Sequence, residues 1–408
     1  MSAFTCLPIT SGGNFISGLD IRRCAVGIDI NMNGLLGNVI GIDISAPSPL
    51  PSERNILREN GIGLRLTNAG GNVVYGNFIG TDPLGSSSIG NTTGIALENA
   101  FYDQIGFSGT GRNVISGNTD GIYLGPGSFG TGIGGNYIGT DPAGTGPLGN
   151  SNGILIQDGN LHFIQSNVIS GNSTGIYIVP TIAGNGMATG NVIQRNLIGT
   201  DVNGASPITN GAGVILFHAP GNLIGGTSGS DGNVISGNAE GIVIAGSYAT
   251  RNLIQGNLIG TNGLGTSAVA NGTRGIRIDQ SASSNLIGGA TANSRNVISG
   301  NAGEGVLVDT FSPGNATYLS TDVPKTIPDL STITSVIQVP ETARINDLNV
   351  TLDITHTFDG DLAIALTSPD NVTIDLSSNN GGAGDDYTNT TFDDEAGTLI
   401  TAGVPPFT

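Results

Sequence analysis

Apolar residues in this chain alternate with other residues inside short segments, and glycine and asparagine separate these segments. Pairs of Ile, Val or Leu occupy positions i and i+2, as in Ile154 and Ile156 or Ile242 and Ile244. A period of two residues is that of a β-strand with one buried face. Gly and Asn favour turns and have poor helix propensity. The pattern therefore predicts an all-β fold of many short strands.

The segments repeat through the first 310 residues or so. A Gly-Ile-x-Ile segment or a close variant recurs from Gly94 to Gly305 about every 30 residues. Two longer motifs alternate with a superperiod of about 60 residues, because structural units come in pairs. Asn-Val-Ile-Ser-Gly-Asn begins at Asn113, Asn167, Asn233 and Asn296. Asn-x-Ile-Gly-Thr-Asp begins at Asn77, Asn136 and Asn196, with a variant at Asn257.

Such a unit buries its apolar face only by stacking on its neighbours, which pairs each strand in parallel with its copy one unit away. The repeat therefore predicts a parallel β-helix. Asparagines at one turn would lie about 4.8 Å apart in successive coils, close enough for their amides to bond along the stack. We expect this structural role for Asn118, Asn172, Asn238 and Asn301.

These repeats resemble those of right-handed parallel β-helix proteins, the pectate lyase-like group, over roughly residues 10 to 315. The resemblance implies a right-handed parallel β-helix solenoid. It implies little about activity, because the group includes polysaccharide lyases, hydrolases, epimerases, phage tailspikes, adhesins and surface proteins without demonstrated chemistry.

Composition and charge narrow the function classes. The net charge is −18, with 13 Lys and Arg against 31 Asp and Glu, which argues against nucleic acid as a partner. No apolar run is long enough to span a membrane. The composition is typical of extracellular proteins, yet the first residues show no secretory signal, so we expect an incomplete N-terminus. Cys6 and Cys24 could form a disulfide or remain free.

Three acidic residues occupy one repeat position on the solenoid, namely Asp82, Asp141 and Asp201. They would line one edge about 10 Å apart and could bind a glycan or calcium. The alternative is that each Asp stabilises its own Thr-Asp-x-x-Gly turn. Asn262 fills the fourth copy without a charge, which favours the turn.

Catalytic candidates on the solenoid are few. Asn118-Thr-Asp120-Gly resembles the first catalytic motif of polygalacturonases, in which the Asp helps to protonate the leaving group, but the other motifs of that family are missing. Lyases of this fold use acidic calcium ligands beside an Arg or Lys base, and the nearest analogue is Arg277 with Asp279. These two share the outer face of a predicted strand, where an ion pair is the alternative interpretation.

The C-terminal part differs in charge and pattern. Residues 321–408 carry 12 of the 18 net negative charges, and the repeat stops after Asp309. Strand alternation then resumes from Ile333 and predicts an antiparallel sandwich. We predict a β-helix domain over residues 1–315, a linker over 316–325 and a sandwich domain over 326–408.

Three motifs in this second domain resemble the P domain of proprotein convertases, also called the Homo B domain. They are the run from Asn349 to Leu362 through His356, then Leu366-Thr-Ser-Pro, and then Thr391-Phe-Asp-Asp-Glu. The resemblance implies a jelly-roll β-sandwich that continues beyond Thr408, so we expect this domain to be incomplete. Its calcium-binding tendency maps onto Asp359, Asp361, Asp385, Asp386, Asp393 and Asp394, with a solvated acidic loop as the alternative.

The sequence favours a non-catalytic secreted or cell-surface scaffold, of bacterial type, that binds a polysaccharide or a surface protein and carries a calcium-stabilised P-domain. One alternative is a polysaccharide lyase or hydrolase acting in a β-helix groove. Another is the non-catalytic part of a secreted subtilisin-like serine endopeptidase, because the serine protease motifs are absent from these 408 residues.

Overall fold

The computed structural model describes residues 4–34, 37–45, 50–309, 317–339, 348–369, 371–393, 396–405 and 407. The chain divides into two compact units, Met1–Ala316 and Thr317–Thr408. No helix in the described residues is long and apolar enough to cross a membrane.

Three parallel sheets form the first unit, and one strand from each sheet makes up one coil, here called a rung. The first sheet contains Thr5–Ile9, Val26–Gly34, Ile62–Ala69, Thr93–Glu98, Asp120–Leu124, Asn152–Gln157, Thr174–Val179, Ala212–Phe217, Glu240–Ala245, Arg274–Asp279 and Val306–Val308. The second contains Phe15–Ile16, Val39–Gly41, Val73–Tyr75, Gln104–Ile105, Gly132–Gly134, Phe163–Gln165, Val192–Gln194, Leu223–Gly225, Leu253–Gln255 and Leu286–Ile287. The third contains Asp20–Arg22, Ile56–Arg58, Phe78–Ile79, Val114–Ile115, Tyr137–Ile138, Val168–Ile169, Leu197–Ile198, Val234–Ile235, Leu258–Ile259 and Val297–Ile298.

Each strand pairs in parallel with the strand one rung away, so the predicted parallel β-helix is confirmed. The apolar residue at a given position lies over its equivalent in the next rung: Ile122 pairs with Ile95 on one side and Ile154 on the other. These inward residues are fully buried. Columns of Ile, Leu and Val therefore fill the coil and supply most of its hydrophobic stabilisation.

Columns of asparagine mark the corners between the sheets. At the corner before the first sheet the column is Asn60, Asn91, Asn118, Asn150, Asn172, Asn210, Asn238, Asn271 and Asn301. At the corner before the third sheet it is Asn55, Asn77, Asn113, Asn136, Asn167, Asn196, Asn233, Asn257 and Asn296. The expected stacking is confirmed, and it is more complete than the repeat suggested because every rung from Asn55 to Asn301 contributes an Asn to each of these two columns.

Asn172 shows how one member of a column bonds. Its Oδ1 accepts from the backbone N–H and from Nδ2 of Asn150, at 3.0 and 2.9 Å. Its own Nδ2 donates to the Ile138 carbonyl and to Asn210 Oδ1, at 3.1 and 3.2 Å. The buried amide is thus paired with groups from both neighbouring rungs, as a buried polar group requires.

Cys6 and Cys24 form a disulfide with a Cα–Cα distance of 5.8 Å. The bond joins the region of the first two strands of the first sheet, since Thr5–Ile9 pairs with Val26–Gly34. The sequence had left this pairing open.

The second unit is antiparallel, as predicted, although only two ladders lie in the described residues. Val350–Ile354 pairs with Tyr387–Phe392, and Ala363–Thr367 pairs with Thr373–Ser378. Leu362, Tyr387 and Phe407 form its small core. The prediction of a strand at Ile333 to Val339 is wrong: this segment is irregular and pairs with no described strand, and its apolar residues are exposed.

Short 3-10 turns occur in both units, at Pro51–Glu53, Gly109–Gly111, Ala292–Ser294, Asp359–Asp361 and Ile400–Ala402.

Candidate functional site

The predicted catalytic residues lie on the outer face of the first sheet but are not brought together. Four strands separate the strand of Asp120 from the strand of Arg277 and Asp279. Asp120 accepts a hydrogen bond from Asn152 Nδ2 at 2.8 Å, across one rung. Rung spacing puts Asp120 about 24 Å from Arg277, too far for the two to act on one sugar bond.

Arg277 lies in a network of ion pairs. It bonds Glu240 of the preceding rung at 2.9 Å and also Asp279 on its own strand. Arg274 joins the network through Glu240 and Glu304. Burial would lower the pKa of Arg277, but hydrogen bonds and attraction from Glu240 and Asp279 raise it above its usual value. Glu240 and Asp279 therefore favour the charged form of the Arg277 guanidinium.

In the Gly-Thr-Asp loops, each acidic side chain stabilises its own turn by accepting hydrogen bonds from backbone N–H groups. Asp201 Oδ1 accepts from the N–H groups of Ala205 and Ser206 at 2.8 and 3.1 Å. Asn262 Oδ1 accepts from Thr266 N–H in the same manner, and Asp82 and Asp141 accept from their own loops. Burial acts to raise the pKa of Asp201, and the backbone bonds from Ala205 and Ser206 outweigh it and lower the pKa. The turn interpretation accounts for all four residues, and glycan binding by them stays a prediction.

A slot on the second sheet is a concave feature of the solenoid that carries both aromatic and polar groups. Its floor is the strand Gly132–Gly134, whose two outward positions are both glycine. On the preceding rung Gln104 pairs in register with Gly132, and on the following rung Phe163 does so. The cleft has a volume of about 340 Å³. One bare strand between two rungs with side chains gives a slot about 10 Å across.

Aromatic rings and amides form the walls of this slot. Tyr102 and Phe163 line it with side chains that are 61% and 47% exposed. Gln104 and Gln165 line it as well. The Gln104 amide lies over the floor, so close that a Cβ added at Gly132 would be 2.5 Å from Gln104 Oε1. Exposed rings beside donors and acceptors provide apolar contact and hydrogen bonding to one ligand.

Under the slot, the asparagine column of the third corner is interrupted. This column comprises Asn14, Asn38 and Asn72 before the slot and Asn191, Asn222, Asn252 and Asn285 after it. Asp103, Thr131 and His162 occupy the three rungs between. All three are buried. On the rungs that form the slot, the column therefore contains an acid, a hydroxyl and an imidazole in place of amides.

Asp103 occupies a column position where an asparagine would donate a hydrogen bond through its side-chain amide. Its Oδ1 accepts from Asn72 N–H and Nδ2 at 2.8 and 2.9 Å, as an Asn would. In the later rungs the Nδ2 of the column Asn donates to a backbone carbonyl of the rung before. Oδ2 of Asp103 holds the equivalent position and has no hydrogen-bond partner. Burial raises the pKa of Asp103 to about 7, against the lowering effect of the bonds from Asn72.

His162 is a neutral structural residue. Its Nδ1 accepts from Thr131 N–H at 3.2 Å, so the proton lies on Nε2, which is 3.3 Å from Ser128 Oγ. Ser128 in turn donates to the Gly125 carbonyl. Burial lowers the pKa of His162 to about 3, so the ring replaces the acceptor oxygen of an Asn without carrying a charge.

The slot was missed by the sequence reasoning, although two signals for it exist in the chain. The second-sheet strands around it carry larger outward side chains, whereas Gly132-Ile-Gly134 has none. The column positions at 103, 131 and 162 also depart from Asn. Both signals become visible only once each residue is assigned to a rung.

The predicted calcium ligands of the second unit cluster only in part. Asp359 is fully buried, and neither of its carboxylate oxygens has a partner. Burial first, and then the charges of Asp386 and Asp385, raise its pKa, against a lowering effect of the Asp386 backbone N–H. Asp386 Oδ1 accepts from His356 N–H at 2.9 Å, Asp361 is exposed and Asp393 half-buried, and Asp394 lies outside the described residues. Within the described residues no three metal-ligating side chains form a group.

The comparison with protein families concerns this second unit. Residues 345–400 match the proprotein convertase P-domain. The resemblance seen in the motifs around His356 is therefore confirmed, and the chain joins a parallel β-helix to a P-domain. No curated protein matches the sequence.

Solved structures of low similarity resemble the β-helix. The A-module of mannuronan C-5 epimerase AlgE4 from Azotobacter vinelandii is 14% identical with a TM-score of 0.34, over 70% of this chain and 58% of that one. The catalytic domain of a GH87 α-1,3-glucanase in complex with nigerose is 13% identical, with a TM-score of 0.19 over 72% and 64%. The Streptococcus pneumoniae surface protein and adhesin PfbA is 14% identical, with a TM-score of 0.17 over 73% and 91%. This chain thus spans less than two thirds of the AlgE4 module.

Proposed function

We propose that this chain is a non-catalytic secreted or cell-surface scaffold that binds a glycan in the slot of the second sheet. The observation that carries the proposal is the slot itself, with a bare strand as floor and with Tyr102, Phe163 and two glutamines as walls. A sugar ring offers apolar C–H faces to aromatic rings and hydroxyls to amides. No Arg or Lys lines the slot, which favours an uncharged sugar unit.

Two features support the extracellular and non-catalytic parts of the proposal. The Cys6–Cys24 disulfide suits an oxidising compartment. The side chains that resembled a lyase site are committed to ion pairs among Arg277, Asp279 and Glu240. Glu240 does add a carboxylate beside Arg277, as the enzyme alternative requires, so the test of function must also detect cleavage.

The glycan proposal predicts retention without cleavage. We expect the purified chain to co-sediment with at least one neutral polysaccharide of a panel of neutral and acidic polymers, without new reducing or unsaturated ends, with or without calcium. Phe163→Ala should weaken retention about tenfold, because it removes one wall of the slot. Phe15→Ala is the matched control: it lies in the same outward column of the sheet and is also 47% exposed. Unsaturated products, or equal losses in both variants, would contradict the proposal.

We also propose that the P-domain holds calcium around Asp359. A buried carboxylate without partners is costly unless it is protonated or bound to a cation, and oxygen-rich loops suit calcium. Asp359 is the side chain that would hold this ion, and the nearby charges of Asp386 and Asp385 would favour a cation there.

Calcium should raise the midpoint of thermal unfolding of the P-domain by several degrees, since a ligand that binds only the folded state stabilises it. Asp359→Asn should abolish this increase. Asp329→Asn removes the same charge at an exposed position and should retain it. Calorimetry with calcium and with chelator makes the comparison, and an identical calcium response in the two variants would show that Asp359 holds no ion.

A further inference from the structure

Two half-buried arginines of the β-helix, Arg54 and Arg112, form no ion pair in the described residues, although the chain carries a net charge of −18. The other three arginines without an ion pair there, namely Arg22, Arg251 and Arg295, are exposed. Six other arginines form ion pairs, namely Arg23, Arg58, Arg65, Arg195, Arg274 and Arg277. Arg54 and Arg112 instead share a cleft of about 340 Å³ at the corner before the third sheet. Unpaired, half-buried guanidinium groups in an acidic protein require an explanation.

The same local structure holds both side chains. Each precedes a column asparagine and reaches to the next rung. Arg54 lies 3.7 Å from the ring centroid of Phe78, and its Nε donates to the Gly76 carbonyl at 2.9 Å. Arg112 lies 4.0 Å from the ring centroid of Tyr137, and its Nε donates to the Gly135 carbonyl at 3.3 Å. Ring and carbonyl fix each guanidinium and leave its two terminal nitrogens without a described partner.

Arg195 provides a contrast within the chain. It occupies the same position before a column asparagine, but its terminal nitrogen bonds Asp231 at 3.0 Å. The next rung there offers Val234 in place of an aromatic ring. An arginine at this repeat position can therefore pair with a carboxylate, as Arg195 does. Arg54 and Arg112, which line one cleft, do not. Burial is the sole cause that lowers the pKa of Arg54, which agrees with the lack of a nearby carboxylate.

The neighbouring loops complete the cleft. Leu84 and Pro142 from two Gly-Thr-Asp loops, together with Thr110, line it beside the two arginines. Arg54 and Arg112 lie two rungs apart, or about 10 Å along the coil. This separation is wide enough for one oxyanion between the two guanidinium groups, accepting hydrogen bonds of about 2.8 Å from each.

We propose that Arg54 and Arg112 form an anion-binding site for a phosphate or sulfate group. The planar fork of arginine matches the oxygens of such groups, and a guanidinium already stacked on a ring loses little entropy on binding. This site lies at a different corner from the slot and does not depend on the glycan proposal. The group comes from one of two sources, a free inorganic ion or a substituent on a polymer.

The test uses a matched pair of surface variants that leave both arginines in place. Leu84 and Leu264 occupy the same position in the first and last Gly-Thr-Asp/Asn loops, and their side chains are 78% and 83% exposed. Leu84→Glu introduces a carboxylate at the cleft, whereas Leu264→Glu makes the same charge change several rungs away. Arg112→Lys, as a further variant, keeps the charge but removes the fork.

Isothermal titration at constant ionic strength with inorganic phosphate and sulfate, and with dextran sulfate against unsubstituted dextran, measures the site. We expect binding by the wild type, a loss of tenfold or more in Leu84→Glu and Arg112→Lys, and a change below twofold in Leu264→Glu. Tighter binding of dextran sulfate than of free sulfate identifies a polymer substituent as the source, and equal binding identifies the ion; both support the site. Absence of binding by the wild type, or equal losses in the two Glu variants, overturns it.

Discussion

Asp103→Asn is expected to stabilise the protein, by about 2 to 4 kcal/mol above pH 7. The substitution restores a donor where the column needs one, because the new Nδ2 would face the backbone carbonyl that other column amides bond. Oδ1 would keep its bonds from Asn72. A buried oxygen without a partner is thereby replaced by a paired amide.

The gain should depend on pH in a defined direction. Asp103 titrates at about 7 in the folded protein, raised from 3.8. Its contribution to stability is therefore complete below pH 3.8 and is lost as the pH rises to about 7. Three pKa units correspond to about 4 kcal/mol. The variant does not titrate at this position, so the difference in unfolding free energy between variant and wild type should widen from pH 4 to 7 and then remain level.

Chemical denaturation of the two proteins at a series of pH values measures this difference. His162 titrates in the opposite direction, because burial lowers its pKa to about 3, but it is present in both proteins and cancels. Asn222→Asp is the reciprocal control, since it places an acid in an intact part of the same column. It should destabilise the protein most at high pH. A difference between Asp103→Asn and wild type that is independent of pH would mean that Asp103 is ionised in the folded state.

Asn172→Ala should destabilise the protein by about 3 to 5 kcal/mol. The substitution removes the acceptor of two buried donors, Asn150 N–H and Asn150 Nδ2. It also removes the amide that bonds Ile138 and Asn210. Each buried group left unpaired costs about 1 to 3 kcal/mol, and the lost side-chain volume adds to that.

Denaturant unfolding followed by circular dichroism tests this prediction. The control is Asn262→Asp, which changes a half-buried loop Asn to the residue found in the three equivalent loops. We expect a change within about 0.5 kcal/mol there, because the carboxylate accepts the same backbone bonds. If Asn172→Ala were as mild as the control, the columns would contribute little to stability.

The solenoid could be predicted because the interactions that form each rung involve residues close in sequence and recur in every repeat. Alternating Ile and Val fix which residues point inward, and turn residues of constant type fix where the chain bends, as at Ile122, Asn118 and Gly121. The asparagine columns followed from the same repeat. What the repeat did not show was that rungs with degenerate motifs, such as that of Asn150, supply the missing members.

The slot could not be predicted from motifs because it consists of departures from the repeat. Gly132 and Gly134 matter for the side chains they lack, and Asp103 matters because its neighbours along the coil are asparagines. Such features depend on the register between residues about 30 positions apart. The resemblance to lyases directed attention to Arg277, whose partner Glu240 lies one rung away and was not considered.

Gly134 is the position that tests the central claim most directly. Its φ is not left-handed, and an added Cβ would lie 3.4 Å from its nearest neighbour, so Gly134→Val should fold while filling the slot. The measurement is a calorimetric titration of an oligosaccharide, prepared from the retained polysaccharide, into wild type and Gly134→Val. A loss of tenfold or more, with the oligosaccharide recovered unchanged from the wild type, is the predicted result. Equal affinity in the two proteins, or cleavage of the oligosaccharide, would contradict a non-catalytic glycan site in this slot.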